Sequence, residues 1–375
     1  MKLKKVAKYV TEKISSEAID LEYYVTTDSL LQNKAGREMA SNLPPRRCQL
    51  TSFRKGDILV SNIRPYLKKI WMADVDGGCN ADVLVFRARK NHSPDFVYAI
   101  LLQDAFYDYV MKGAKGSKMP RGDKEQIMRY EIPVRNPAEE SIGKFVVDIM
   151  DKISVLGRIN SNLEAMARRL YDYWFLQCDF PDKDGKPYRS SGGRMEWNEK
   201  LKRDIPEGWS VLPVASSIKT GNEDANFATP DGAYHFFTCA QQTLRCDAEA
   251  FRGSAILIAG NGDFNVKHYT GAFNAYQRTY VLIPETEYYG LSYFASMDKI
   301  SSFKSGSSGS IIKYITKKDI ESILIAVPPS SDTFSYGIIN ECIFECEKNS
   351  IQIEALQRLR DNLLPLLMNG QITIC

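Results

Sequence analysis

The chain has 375 residues, with 49 Lys and Arg against 46 Asp and Glu, and 44% of its residues are apolar. This excludes a disordered or collagenous chain and suits a globular protein of two or three domains. No apolar run reaches the ~18 residues of a membrane-spanning helix, and the N-terminal MKLKKVAKYVTEK lacks the apolar core of a secretory signal, so a cytoplasmic protein with no membrane partner is expected.

Charge is uneven along the chain. Residues 1–130 carry 23 Lys and Arg against 15 Asp and Glu, a net of +8, and the remaining residues carry 26 against 31, a net of −5. A basic first third points to an acidic partner such as nucleic acid. The eight Cys stand at 48, 79, 178, 239, 246, 342, 346 and 375, with no CxxC pair. They read as reduced thiols, with no metal site.

Taken in order, the elements repeat. Strand-like EYYVTTDSL (22–30) is matched by AYHFFTCAQ (233–241), FRKGDILV (53–60) by FRGSAILI (251–258), and ADVLVFR (81–87) by RTYVLI (278–283). A helix-like run follows in each half, 95–113 and 288–306, each ending at Gly. Next come GAKGS (113–117) and GSSGS (306–310), then a short strand running into proline, YEIPV (130–134) and LIAVPP (324–329).

After each proline the period becomes helical. In 138–178, Ile142, Ile149, Leu156, Leu163 and Leu170 recur every seven residues, with Phe145, Ile159, Met166 and Tyr173 three residues on. In 334–368, Ile339, Cys346, Ile353 and Leu367 recur with Cys342, Leu356 and Leu363, and Asn349 and Arg360 interrupt the seam. Sustained heptads predict long paired helices, and 40 residues of helix span roughly 60 Å. Residues 179–209, rich in Pro, Gly, Ser and Asp, form a joint. The expected fold class is therefore α+β. Two similar mixed α/β modules (1–137 and 210–332) alternate with two long helices (138–178 and 333–375) as a pseudo-twofold repeat. Such a pair would hold two readers a set distance apart, as in bipartite DNA recognition.

Two phrases carry a more specific likeness. LEAMARRLYDYWFLQCDFPDKDGKPYRSSGGRMEWNEKLKRDIPEGW (163–209) and LQRLRDNLLPLLMNGQITI (356–374) resemble the central and distal conserved regions of the specificity subunits of type I restriction-modification systems. The resemblance implies two target-recognition domains separated by an antiparallel coiled coil, each reading one half of a bipartite asymmetric site in double-stranded DNA. It implies two docked methyltransferase subunits and, in a complete system, restriction subunits. It implies no cofactor on this chain, since S-adenosylmethionine and ATP belong to the partners.

Candidate DNA contacts fall in four segments. SNIRPYLKKIW (61–71) offers Arg64, Lys68 and Lys69 interleaved with Tyr66 and Trp71. Arg suits guanine edges and Lys suits phosphate; the alternative is a strand–turn–strand with solvated charges. GAKGSKMPRGD (113–123) offers Lys115, Lys118 and Arg121 to phosphate. In the second module, AGNGDFNVKHYTG (259–271) offers Asn261, Asn265, Lys267 and His268, the amides suiting adenine, with a glycine-rich hairpin as the alternative, and GSSGSIIKYIT offers Lys313 and Tyr314. Lys34, Arg37, Arg46 and Arg47, in an insertion confined to the first module, are further contacts or a solvated loop. Arg168 and Arg169 read as helix flanks, facing a partner or solvent.

Two other classes of protein fit the sequence less well. A DNA amino-methyltransferase needs Asn/Asp-Pro-Pro-aromatic, but the Pro-Pro pairs here are LPPR (43–46) and VPPS (327–330). AGNGDF lacks the third Gly of a cofactor turn, and no GxxxxGK[ST] occurs. His92, His235 and His268 are isolated. A non-catalytic reader is therefore expected. A coiled-coil adaptor leaves the repeated strand modules unexplained.

Overall fold

The computed structural model describes residues 1–132, 139–305, 314–329 and 336–374. The chain divides into two units, Met1–Arg158 with Ile351–Cys375, and Ile159–Ser350.

In the first unit, α1 (Leu3–Val6) precedes β1 (Ala7–Tyr9), β2 (Lys13–Ser15), β3 (Tyr24–Val25), β4 (Gln49–Phe53), β5 (Ile58–Ser61), β6 (Ile70–Met72), β7 (Gly77–Cys79) and β8 (Val83–Ala88). They make two four-stranded sheets, β1-β8-β5-β6 and β2-β4-β7-β3. Strand β5 is buried on both faces because both are covered. Ile58 and Val60 join a core with the helices α2 (Pro94–Leu102) and α3 (Asp104–Lys112), while Leu59 faces Phe53, Trp71 and Val85. The single helix expected over 95–113 is broken at Gln103, whose backbone is extended and whose amide donates to the Ile100 carbonyl. The strand expected over 22–30 is also cut short: Thr26 and Ser29 exchange side-chain to backbone bonds and turn the chain after Val25. The short helix α4 (Lys124–Ile127) is capped by Asp123.

The long helix α5 (Glu139–Tyr171) passes through a π-turn at Asp172–Leu176, where Arg203 donates to the carbonyls of Phe175 and Leu176. The second unit continues with a hairpin, β9 (Met195–Asn198) and β10 (Arg203–Pro206). It is followed by β11 (Ser210–Pro213), β12 (Ser217–Thr220), β13 (Tyr234–Phe237), β14 (Leu244–Cys246), β15 (Phe251–Ala259), β16 (Val266–Ala275) and β17 (Thr279–Ile283). Helices α6 (Tyr289–Ser305) and α7 (Lys317–Glu321), strand β18 (Leu324–Val327) and the long helix α8 (Tyr336–Met368) complete it. Its main sheet runs β12-β17-β15-β16-β13-β14, and β18 pairs with β11.

The repeat is legible bond by bond. In the first unit Ile58, Leu59, Val60 and Ser61 pair with Phe86, Val85, Leu84 and Val83; in the second, Ile256, Leu257, Ile258 and Ala259 pair with Leu282, Val281, Tyr280 and Thr279. The third strand keeps step, Ile58 opposite Met72 and Ile256 opposite His268. The parallel pair repeats too, Val25 with Cys79 and Phe237 with Ala275. One difference stands out. The turn at 54–57 divides β4 from β5, whereas β15 runs unbroken from Phe251 to Ala259.

Each long helix contributes to both units. In the first, Ile142, Val146, Ile149, Met150 and Ile153 of α5 share a core with Leu364, Leu367 and Met368 of α8. In the second, Ala167 and Tyr171 share one with Ile339, Cys342 and Ile343. The expected heptad column is buried at Ile142, Ile149 and Leu156, but its companion column is corrected. Ile159, Met166 and Tyr173 are exposed, and Val146, Ile153 and Ala167, four residues on, are buried instead. The seam's polar interruptions are also buried. Asn349 donates to the Asn160 side chain at 2.9 Å, and Arg360, 2% exposed, binds the Asp361 carboxylate and contacts Met150 Sδ.

Candidate nucleic-acid interface

In the first unit two loops meet edge to edge. Arg64 and Lys68 adopt the left-handed conformation at either end of the single turn Pro65–Leu67, which costs a non-glycine residue about 1 kcal/mol. Backbone bonds hold them there: Arg64 N–H donates to the Pro120 carbonyl, Gly122 N–H to the Asn62 carbonyl, and Lys34 N–H to the Lys68 carbonyl. Residues Lys115 and Arg121 bond each other's backbone across the neighbouring hairpin. The joined loops leave Arg64, Tyr66, Lys115, Lys118, Met119 and Arg121 exposed. Arg121 is oriented by Asp82 (3.2 Å), and Lys115 lies 3.5 Å from Asp123.

Three further cations of this region, Lys34, Lys68 and Lys69, are taken up by partners within the fold. Lys68 Nζ binds Asp104 at 2.8 Å. Lys69 Nζ donates to the Thr27 carbonyl at 2.6 Å, and burial lowers its pKa. Lys34, 4% exposed, lies between Asp104 and Asp361, 2.8 Å from each. Burial pushes both carboxyls up, but the hydrogen bonds and charges of Lys34, Lys68 and Arg360 outweigh it and hold both below the usual carboxylate range. Arg37 stacks over Trp71, while Arg46 and Arg47 are exposed.

In the second unit the equivalent loop, 260–265, meets the segment before α7. Ile315 N–H donates to the Gly260 carbonyl, as Gly122 does to Asn62, and Tyr280 Oη donates to the Ile315 carbonyl. Tyr314 beside it is 69% exposed; Lys313 lies outside the described residues. Asn261 is half-buried. The sequence reading of Asn265 and Lys267 as outward contacts is corrected. Asn265 Nδ2 bonds the Cys239 and Asp263 carbonyls, and Lys267 Nζ donates to the Ala240 carbonyl with its pKa lowered by burial. What they hold is a loop that exposes Gln241 and Gln242, with Gln241 Nε2 donating to Asp263 at 2.8 Å. Sequence reading missed both glutamines because they follow a strand rather than the glycine-rich turn that drew attention.

The remaining candidates are structural. His268 bonds Glu347 of α8 at 2.7 Å and His92 bonds Glu139 at 2.9 Å. Arg168 binds Asp172 and Asp298 and lies over Tyr171, while Arg169 is exposed. Among the described residues, no cluster of three metal-ligating side chains occurs, and no helix is long and apolar enough to cross a membrane.

The fold and the paired polar loops are those of a two-module protein with a repeated α/β plan. A solved specificity subunit of a type I restriction-modification system from M. genitalium shares the fold, with a TM-score of 0.56 and 14% identity over 100% of this chain and 96% of that one. Residues 213–358 match the type I restriction modification DNA specificity domain. The EcoDI specificity subunit of Escherichia coli is 39% identical over 179 residues, 45% of this chain and 40% of that one. The MjaIX specificity subunit of Methanocaldococcus jannaschii is 20% identical over 361 residues, 88% of this chain and 80% of that one. The likeness to a DNA specificity domain is thus carried by residues 213–358, and the chain spans less than half of the EcoDI subunit's length in its match to it.

Proposed function

We propose that this chain is the DNA-reading subunit of a type I restriction-modification complex. Each module reads one half of a bipartite asymmetric duplex site. The long helices α5 and α8 pair as an antiparallel coiled coil that sets the spacer and docks two methyltransferase subunits, with restriction subunits joining a complete complex. The chain itself is non-catalytic and cytoplasmic; methyl transfer with S-adenosylmethionine and ATP-driven cleavage belong to its partners.

The observation that carries this reading is the repeated presentation of a polar loop at one end of two register-matched sheets. Two like modules with unlike loop chemistry suit two unlike half-sites. In the first module, exposed Arg64, Lys115, Lys118 and Arg121 supply phosphate neutralisation and guanidinium forks for base edges.

The test is to co-express the chain with its methyltransferase partner and map methylated adenines by single-molecule sequencing. A split motif appearing only when both chains are present is expected. Methylation by this chain alone would make it an enzyme, and a stable complex that leaves DNA unmethylated would leave an adaptor. Replacing Arg64 and Arg121 by Ala should weaken duplex binding at least tenfold and reduce the slope of log affinity against log salt by about 1–2.

A further inference from the structure

Two residues read from sequence as DNA contacts do the same mechanical job in the two modules. The matched strand pairs put Lys69 just before Ile70, which faces Val60, and Asn265 just before Val266, which faces Ile258. They likewise put Thr27 two residues beyond Val25, and Cys239 two beyond Phe237. Lys69 therefore donates to the Thr27 carbonyl at the place where Asn265 donates to the Cys239 carbonyl, at 2.6 and 2.8 Å. The surroundings repeat as well. Asn80 N–H bonds the Val25 carbonyl and Tyr276 N–H the Phe237 carbonyl. The hydroxyls of Thr26 and Thr238 accept from Ser29 N–H and Ala240 N–H. An ammonium and an amide share little as readers of DNA, but either can bond one carbonyl. What the two modules have in common is a latch that holds the chain leaving the parallel strand against the hairpin loop.

In the second module the latched segment is Ala240–Thr243. Lys267 adds a second bond to it, at the Ala240 carbonyl. Gln241 and Gln242 are exposed on it, and Asp263 fixes the Gln241 amide from the facing loop. An exposed carboxamide on a fixed backbone can meet the N6 and N7 edge of adenine with two hydrogen bonds, and little ordering cost remains when the loop is already held. Resting on the DNA-reading function above, we propose that Asn265 and Lys267 are positioning residues, and that the loop they latch carries the base-reading amides Gln241 and Gln242 of the second module, directed at the major-groove edge of an adenine-bearing base pair.

The experiment uses the full chain in complex with its methyltransferase partner and a pool of random duplex DNA, sequencing what is retained. Wild type is expected to select a bipartite site. The double variant Gln241→Ala, Gln242→Ala should lose tenfold or more of its discrimination in one half-site, with the other half-site and the salt slope unchanged. Gln242→Glu, which keeps shape and adds an acceptor, should redirect that half-site from adenine toward cytosine. Asn265→Ala should blur the same half-site, and Asn265→Lys, which copies the first module's latch, should restore it. A wild-type complex that selects no sequence would overturn both the DNA-reading function and this assignment. A wild-type bipartite site retained unchanged by the Gln241, Gln242 double variant and by Gln242→Glu would overturn the assignment of the loop alone. Equal behaviour of Asn265→Ala and wild type, or failure of Asn265→Lys to restore selection, would overturn the latch.

Discussion

The two modules build one register from different chemistry. Where the first sets Asp57 against Arg87, buried and bidentate at 2.8 and 2.7 Å, the second has Ala255 and Ile283 one step beyond the matching strand pairs. Where the first closes a turn through Arg54 N–H to Asp57 and divides its strands between two sheets, the second runs straight through as β15. Ile58, Val60, Ile256 and Ile258 all face helices, and Leu59 and Leu257 face the other way. Register therefore belongs to the alternation of apolar side chains, which a slip by one residue would turn inside out. The polar pair is a local solution to a turn.

The close helix approach is likewise kept by opposite means. A methyl on Gly143 of α5 would lie 2.7 Å from the backbone nitrogen of Phe96, in α2. A methyl on Gly290 of α6 would lie 2.6 Å from Ile339 Cγ2, in α8. In the first unit the long helix carries the glycine; in the second the module's own helix does. Both modules are also tied to α8 by a polar side-chain contact, an ion pair of Lys34 with Asp361 in one and a hydrogen bond between His268 and Glu347 in the other.

The largest effect should come from breaking the buried pair. Asp57→Ala leaves a mostly buried guanidinium with Glu12 alone and should destabilise the first unit by about 3 kcal/mol. Adding Arg87→Ile, which copies the second module, should recover most of that loss. Denaturant unfolding read through hydrogen exchange of β8 and β17 amides separates the two units, and a double variant no better than the single would sink the equivalence.

Next in size is Lys34→Met. It removes the cation between Asp104 and Asp361 and should cost about 2 kcal/mol, below the usual figure for a broken buried pair because both carboxylates reach solvent. The acid limb gives the sign. Both carboxyls are held below their ordinary values, so their contribution is complete above about pH 4 and is lost as pH falls through the folded-state values. Lys34→Met should flatten that limb, which a pH series of melting temperatures would reveal; an unchanged limb would remove Lys34 from the network.

The glycine comparison is smaller. Gly143→Ala meets backbone and should cost about 2 kcal/mol, whereas Gly290→Ala meets the end of a side chain and should cost about 1 kcal/mol. Equal losses in calorimetry would mean that the two approaches are equally rigid. Smallest is Asn160→Ala, which leaves the buried Asn349 amide without its partner oxygen and should cost about 1 kcal/mol in the second unit. No change in β17 exchange would assign that amide to solvent.

From residue order alone came the repeat, the long helices and their family likeness, because equal spacing of short apolar runs and a sustained heptad column are local facts of the chain. Which apolar column of α5 is buried was not local. Phe145, Ile159 and Met166 compete with Val146, Ile153 and Ala167 for the seam, and contact with α8, some two hundred residues away, decided it. The same holds for the loops. Arg64 and Lys68 look alike in sequence, yet Asp104 and the 31–34 turn draw Lys68 inward while Arg64 stays exposed. Asn265 looks like a reader of bases until the Cys239 carbonyl, 26 residues earlier, is found beside it. A side chain's type is written in the chain, but its partner is set by segments brought together only by folding, and the partner decides whether it faces DNA or the fold.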